Sequence, residues 1–436
     1  MRKSLAALAV VGGLALLAAT QAAVAHAAPA AVSEVKVAWA EPGKVKISWT
    51  EAAGIANDVY LEVSGQQAQR IGTTTAGGAN ELVVPVAALK PSHDAASTAR
   101  ILVADPSTAG ARSASFDRYV QGETPMLPGM VRGVMQWQFE ADPATDTTPN
   151  DPLDSTAPAK ITPRLTRVKA GTAAQCENVS LPATTERYGK VPAQNGAYSV
   201  DLVLANEWGE SKLTTVRART AAVAFSTPAT GIYGAKVTMT GSIALSKLKN
   251  PAAGDCTLTP DTADLVQHTM ALHGRNSATS AWYSIGSSWT DAKGNYKFVI
   301  TNTGAREYRP ILVESFVGHG AVIYQTIGAT KAIRATPQVL DARFLDSDIA
   351  LGQQPNATVT VAPYGSHQVA LQFKNSSGQW QGLMYRTLAN GTAQSGPFAF
   401  NRAGTHQFRW WVAASISAQG LPVDAGYTHP FTLTVR

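Results

Sequence analysis

Residues Tyr198–Ser211 read YSVDLVLANEWGES, and this stretch sets the pattern for the whole chain. Tyr198, Val200, Leu202 and Leu204 recur at every second position, the period of a strand whose successive side chains point to opposite faces. Asn206-Glu207-Trp208-Gly209 interrupts the run and would turn the chain into the last strand, Leu213 to Val216. Two strands around a short Gly-containing turn predict an antiparallel hairpin.

The pattern continues in both directions. Val35, Val37 and Trp39 alternate, and Val45, Ile47 and Trp49 follow after Pro42-Gly43. Val59, Leu61 and Val63 come next, then Leu82, Val84 and Val86, then Ile101 and Val103. No segment shows a convincing amphipathic helix. Brief strands punctuated by Gly, Pro, Asn and Asp at ~8–12-residue spacing predict sandwiches or barrels. The expected fold is all-β, with four tandem sandwiches at 31–120, 121–220, 221–336 and 337–436.

The last two of these repeat each other. MALHGR at Met270–Arg275 matches VALQFK at Val369–Lys374, and Trp282 matches Trp380. Phe298 matches Phe398, Gly304 matches Gly404, and Tyr308-Arg309 matches Phe408-Arg409. A constant offset of 98–100 residues signals tandem copies of one unit.

GKVKISWTE (Gly43–Glu51) resembles the second strand of fibronectin type III domains, and YSVDLVLANEWGES resembles their penultimate strand and following loop. The resemblance implies a fibronectin type III-like fold for the first two regions. It also places Tyr198 as a tyrosine corner, whose hydroxyl would tie back to upstream backbone. The first region departs from that pattern, since LKPSHDAASTARILVAD (Leu89–Asp105) lacks the Tyr. The second departs by a Pro/Thr-rich acidic insertion at 140–158. SSWTDAKGNYKFVITNTGAREYRP (Ser287–Pro310) resembles immunoglobulin-like repeats of secreted bacterial proteins of actinobacterial type.

The N-terminus carries Arg2 and Lys3, an uncharged run from Leu5 to Ala25, and the small-residue exit Ala25-His26-Ala27-Ala28. That sequence predicts a signal peptide over 1–27, with an uncleaved anchor as the alternative. No later run is long and apolar enough to span a bilayer, so secretion or surface association without membrane insertion is expected. The chain has 36 basic and 30 acidic side chains; without Arg2 and Lys3 the balance is +4. Charge this mild and dispersed argues against nucleic acid as a partner. Four sequons, at Asn178, Asn356, Asn375 and Asn390, are expected to be unmodified given the bacterial resemblance.

The chain contains no G-x-S-x-G elbow, no HExxH and no phosphate loop between strand and helix, so no catalytic residue, cofactor or metal is assigned. His268 and His273 are too unlike a ligand pair to hold zinc, because five-residue spacing in a strand sends them to opposite faces. The insertion carries Glu140, Asp142, Asp146, Asp151 and Asp154, which calcium could use, yet its prolines and threonines suit a solvated loop. Cys176 and Cys256 stand 80 residues apart. An end-to-end array would hold them about 35 Å apart, far beyond the ~7 Å limit between bridged α-carbons, so pairing needs a fold-back between neighbours.

Alternation that buries Phe408, Trp410 and Val412 turns Arg409 and Trp411 outward together. An Arg beside an exposed Trp gains cation–π contact and could stack on a sugar or engage a partner. Packing under a neighbouring loop is the alternative for Trp411. Trp208, in its loop, is a similar candidate, with a structural Asn-x-Trp-Gly turn as the alternative. The sequence thus predicts a non-catalytic binding or spacer protein whose partner is a protein or a cell-envelope polysaccharide. A carbohydrate-binding role through exposed aromatics is the alternative, and a hydrolase with an unrecognised site is the third reading.

Overall fold

A computed structural model describes residues 31–436 apart from 53–54, 95, 106–108, 121–125, 132–133, 140–147, 149, 155–158, 193, 195 and 318–319. The expected leader, and Glu140, Asp142 and Asp146 of the insertion, lie outside the described residues. Among the described residues the protein is all-β: the other regular elements are two short 3-10 turns, Val86–Leu89 and Pro251–Ala253. No described helix is long and apolar enough to cross a membrane.

The chain divides into two compact units. The first runs to Tyr119 and takes back the described residues of Asp146–Asp154. Its strands Ser33–Glu41, Lys44–Thr50 and Glu81–Pro85 form one sheet. Gln69–Thr73, Asp58–Val63, Thr98–Ala104 and Ala111–Arg112 form the other. Val45 and Ile47 of one sheet, and Val59, Leu61, Ile101 and Val103 of the other, are buried. Branched side chains fit such a pleated, covered face, and each fully buried one contributes about 1.5–3 kcal/mol.

The insertion departs from the expected solvated loop of the second region. Leu153 is 0 % exposed, and its carbonyl accepts a hydrogen bond from Trp39 Nε1 at 2.8 Å. The Asp117 backbone N–H donates to Asp151 Oδ2 at 2.6 Å. One apolar side chain and two directed hydrogen bonds are enough to dock Asp151–Asp154 on the first unit.

The second unit takes the rest of the chain from Val120 onward. Its first core lies between Val134–Phe139 with Tyr188–Val191 on one side and Lys160–Val168, Tyr198–Asn206 and Gly209–Ser226 on the other. Met135, Trp137, Val200, Leu202 and Val216 are buried between them.

The strand Gly209–Ser226 does not stop where this core ends. Residues 209–218 pair with Tyr198–Asn206, and Thr220–Ser226 pair with the strand Lys236–Asn250. The expected boundary at 220/221 therefore lies inside one unbroken strand. A second link comes from downstream: Ala321–Ile323 lies parallel to Arg217–Arg219. Its alternating side chains serve two cores, Val322 the upstream one and Ile323 the downstream one. The Tyr198 hydroxyl bonds to the Tyr324 hydroxyl rather than to upstream backbone. Burial and that bond hold the Tyr198 phenol far above its ordinary pKa. The tyrosine-corner expectation thus fails because the neighbouring region supplies the partner.

Cys176 and Cys256 form a disulfide, with α-carbons 5.1 Å apart. The end-to-end premise separated them; the hairpin of Lys236–Asn250 and Asp255–Asp261 instead reaches back over the upstream region. Gln175 bridges Asp255, and the Cys256 N–H donates to the Ala174 carbonyl at 2.8 Å.

The core of 221–336 packs Val237, Met239, Ile243 and Phe298 against Met270, Leu272, Tyr308 and Ile333. That of 337–436 packs Val359 and Val361 against Leu371, Phe373, Phe408 and Trp410, with Phe344 and Phe408 edge to face at 4.8 Å. These two regions also interlock. The Ala305 N–H donates to the Pro422 carbonyl at 2.7 Å, and the Asp424 N–H to the Ala335 carbonyl at 2.8 Å. Gly304 has φ +135°, and a Cβ there would come within 2.3 Å of Leu421 Cβ, so only glycine permits this approach.

The sequence repeat extends to irregularities of register. Thr269–Arg275 pairs with Tyr283–Trp289 through a bulge at Leu272/His273. Gln368–Lys374 pairs with Trp380–Thr387 through a bulge at Leu371/Gln372. The copies part at the next aromatic: Phe298 lies in the strand Asn295–Thr301, whereas Phe398 lies in irregular chain.

Candidate functional site

Arg409 and Trp411 sit on the strand Gly404–Val412, half-buried, while Phe408, Trp410 and Val412 face the core. The Arg409 guanidinium lies 4.4 Å from the Trp380 ring centroid and 3.9 Å from that of Tyr427. Its Nε donates to Gln372 Oε1 at 2.8 Å. The expected Arg409–Trp411 pair is thus replaced by stacking on Tyr427 of the adjacent strand Gly426–Tyr427 and on Trp380, which begins the strand beyond Gln368–Lys374. Trp208 is 3 % exposed, and its N–H bonds Asn206 Oδ1 at 3.2 Å. An Asx turn tucks the indole inward and leaves no ring for a ligand.

The repeat partner carries the same outer-face device. Arg309 stacks 4.1 Å from the Trp282 ring centroid and Arg275 4.6 Å from it. Arg275 also donates to Glu307 at 2.5 Å. Burial, followed by the Arg309 charge, lowers the pKa of neighbouring His273 and favours its neutral form. Duplication of this guanidinium–indole stack at equivalent positions marks it as part of how the unit covers its sheet.

A different site has no such counterpart. Trp289, ending the strand Tyr283–Trp289, is 64 % exposed. It pairs with Thr269; at the matching place in the repeat, Gln368 pairs with Thr387. The indole forms one wall of an open groove of about 690 Å³, with Tyr296 and Gly241 among its other lining residues. A Cβ at Gly241 would lie 2.3 Å from the Tyr296 hydroxyl, which donates to the Ala224 carbonyl at 2.6 Å. Ser226, Thr240, Ser242 and Ser288 also line the groove. Sequence alternation missed it because Trp289 stands in an edge strand exposed on both faces. The available signal was the indole facing a Thr across the repeat.

Among the described residues, Asp117, Asp151 and Asp154 bring ligand-capable oxygens within 4.8 Å of one another. Backbone donors already hold them: Leu153 N–H reaches Asp151 Oδ1 at 2.7 Å, Asp151 N–H reaches Asp154 Oδ2 at 2.9 Å, and Tyr119 N–H reaches Asp117 Oδ1 at 2.7 Å. This cluster locks the docked segment. Asp151→Ala should destabilise the first unit by about 1–3 kcal/mol, the cost of orphaning its donors, as read by calorimetry. Its melting should be equal in millimolar calcium and in chelator; a rise with calcium would assign the cluster to a cation.

His268 and His406 bond backbone carbonyls through Nε2, and burial lowers the pKa of His367. His268 and His367 each directly precede a strand, and His406 lies within Gly404–Val412.

No family profile matches this chain, and no curated protein matches it. Solved structures include one described as "Crystal structure of tetra-tandem repeat in extending region of large adhesion protein". It shares 11 % identity over 93 % of this chain and 99 % of that one, with a TM-score of 0.24. A likeness that loose carries no argument about this protein.

Proposed function

We propose that this chain is a non-catalytic secreted or cell-surface protein that spaces and presents binding faces, built of four β-sandwich modules close to 31–120, 121–220, 221–336 and 337–436. The observation that carries the proposal is the way the regions after Val120 join. A strand of 18 residues runs through one joint, a disulfide spans it, and backbone hydrogen bonds cross the next. A flexible linker lets neighbours reorient freely, whereas shared ladders fix them. Fixed joints suit a molecule that must hold a surface at a set place. The partner expected from the sequence is a protein or an envelope polysaccharide.

The test is sedimentation of the leaderless chain with envelope fractions from its producer, alongside limited proteolysis. Retention on the envelope, with the 209–226 strand resisting cleavage, is the expected result. Absence of retention, or release of soluble cleavage products from the envelope, would overturn the reading.

A further inference from the structure

We propose that the groove beside Trp289 is a subsite for one neutral pyranose unit of a glycan. The proposal rests on the binding role above and names its ligand class. Three observations converge on it.

First, the fold does not require this indole. The equivalent strand position in the repeat holds Thr387, with the same pairing and the same upstream bulge. A Trp left 64 % exposed where its twin manages with Thr contributes little to packing. Its broad apolar face remains available.

Second, the chemistry of the groove is amphipathic in the way a sugar is. A pyranose offers a flat C–H face on one side and a rim of hydroxyls at its edge. The indole supplies an electron-rich face for the C–H side. The hydroxyls of Ser226, Thr240, Ser242 and Ser288 line the same groove, and none makes a hydrogen bond within the described protein. Each hydroxyl can donate and accept, which matches sugar hydroxyls. Gly241 keeps the groove open where any side chain would meet Tyr296.

Third, the charge is wrong for the competing ligands. Asp291 and Lys297 supply one charge of each sign. The Asp291 carboxylate is spent on its own turn, accepting the N–H groups of Lys293 and Asn295, each at 2.8 Å. A single lysine cannot hold a uronate polymer or a nucleic acid backbone, whose recognition takes clustered cations.

The experiment titrates the leaderless full chain with cellohexaose, xylohexaose, maltohexaose and chitohexaose, with hexagalacturonate as the charged comparison. Calorimetry gives affinity, and tryptophan fluorescence reports the indole. At least one neutral hexasaccharide should bind. Trp289→Thr should weaken it about tenfold or more, a loss of roughly 1.4 kcal/mol, with unchanged melting because the twin strand folds with that residue. Trp289→Tyr should retain most of the binding. The subsite is overturned if none of the four neutral sugars binds, if only hexagalacturonate binds, or if Trp289→Thr binds as tightly as the parent. Envelope retention that persists in those cases leaves the presenting role standing and removes the subsite alone.

Discussion

Reducing the Cys176–Cys256 bond, or replacing both residues with Ala, should lower the stability of the second unit by about 2–5 kcal/mol. The bond closes a loop of 80 residues, so breaking it returns a large set of unfolded conformations. The loss should be concentrated at one joint. Hydrogen exchange should rise first in Ala174–Cys176 and Asp255–Cys256, where the Gln175–Asp255 bridge and the Cys256 N–H bond hold the hairpin tip. Cores farther along, such as that around Phe408, should keep their protection. Uniform loosening across the second unit, or no change at the joint, would show that the bond does not clamp these two regions.

Replacing Arg219 should have an effect of similar size for a different reason. Arg219 and Asp261 have side chains 9 % and 1 % exposed, with Nε and Oδ2 2.6 Å apart. Asp264 pairs with Arg219 Nη2 at 2.7 Å, and Lys247 reaches Asp261 at 3.3 Å. Arg219→Met leaves the Asp261 carboxylate buried beside a single half-exposed lysine, a change that costs about 3–5 kcal/mol for a broken buried pair. The close Nε–Oδ2 contact is not aligned as a hydrogen bond, so charge alone holds it. A double variant, Arg219→Met with Asp261→Leu, should therefore recover most of the loss in denaturant melts, since desolvation offsets much of such a pair. A double variant as unstable as the single one would show that the ion pair is a net source of stability.

What could be read from the sequence was whatever has a short period. Val45, Ile47, Val59 and Leu61 announce a two-sheet core because strand alternation is local, and the MALHGR and VALQFK repeat survives down to the bulge. The joints could not be read this way, because they depend on which strand lies beside which. Residues 209–226 did carry a clue. They contain no Gly, Pro, Asn or Asp after Gly209, so nothing in them breaks a strand where a domain boundary was expected. Ala321-Val322-Ile323, apolar at three consecutive positions, is the mark of a strand buried on both sides. The surroundings of Trp208 and Arg409 were out of reach for another reason. Alternation gives the face of a side chain but not the neighbours waiting there, such as Trp380 and Tyr427.

The parallel ladder between Arg217–Arg219 and Ala321–Ile323 sets a timetable for chain emergence. A polypeptide delivered N-terminus first exposes Arg217–Arg219 about a hundred residues before its mate arrives. Throughout that interval the sheet presents a bare edge, the feature through which nascent chains stick to one another. Cys176 likewise waits for Cys256 with its thiol uncommitted. Assembly of the upstream sandwich is therefore completed by residues of the one that follows it, and a chain released early would carry an unfinished edge and an unpaired thiol.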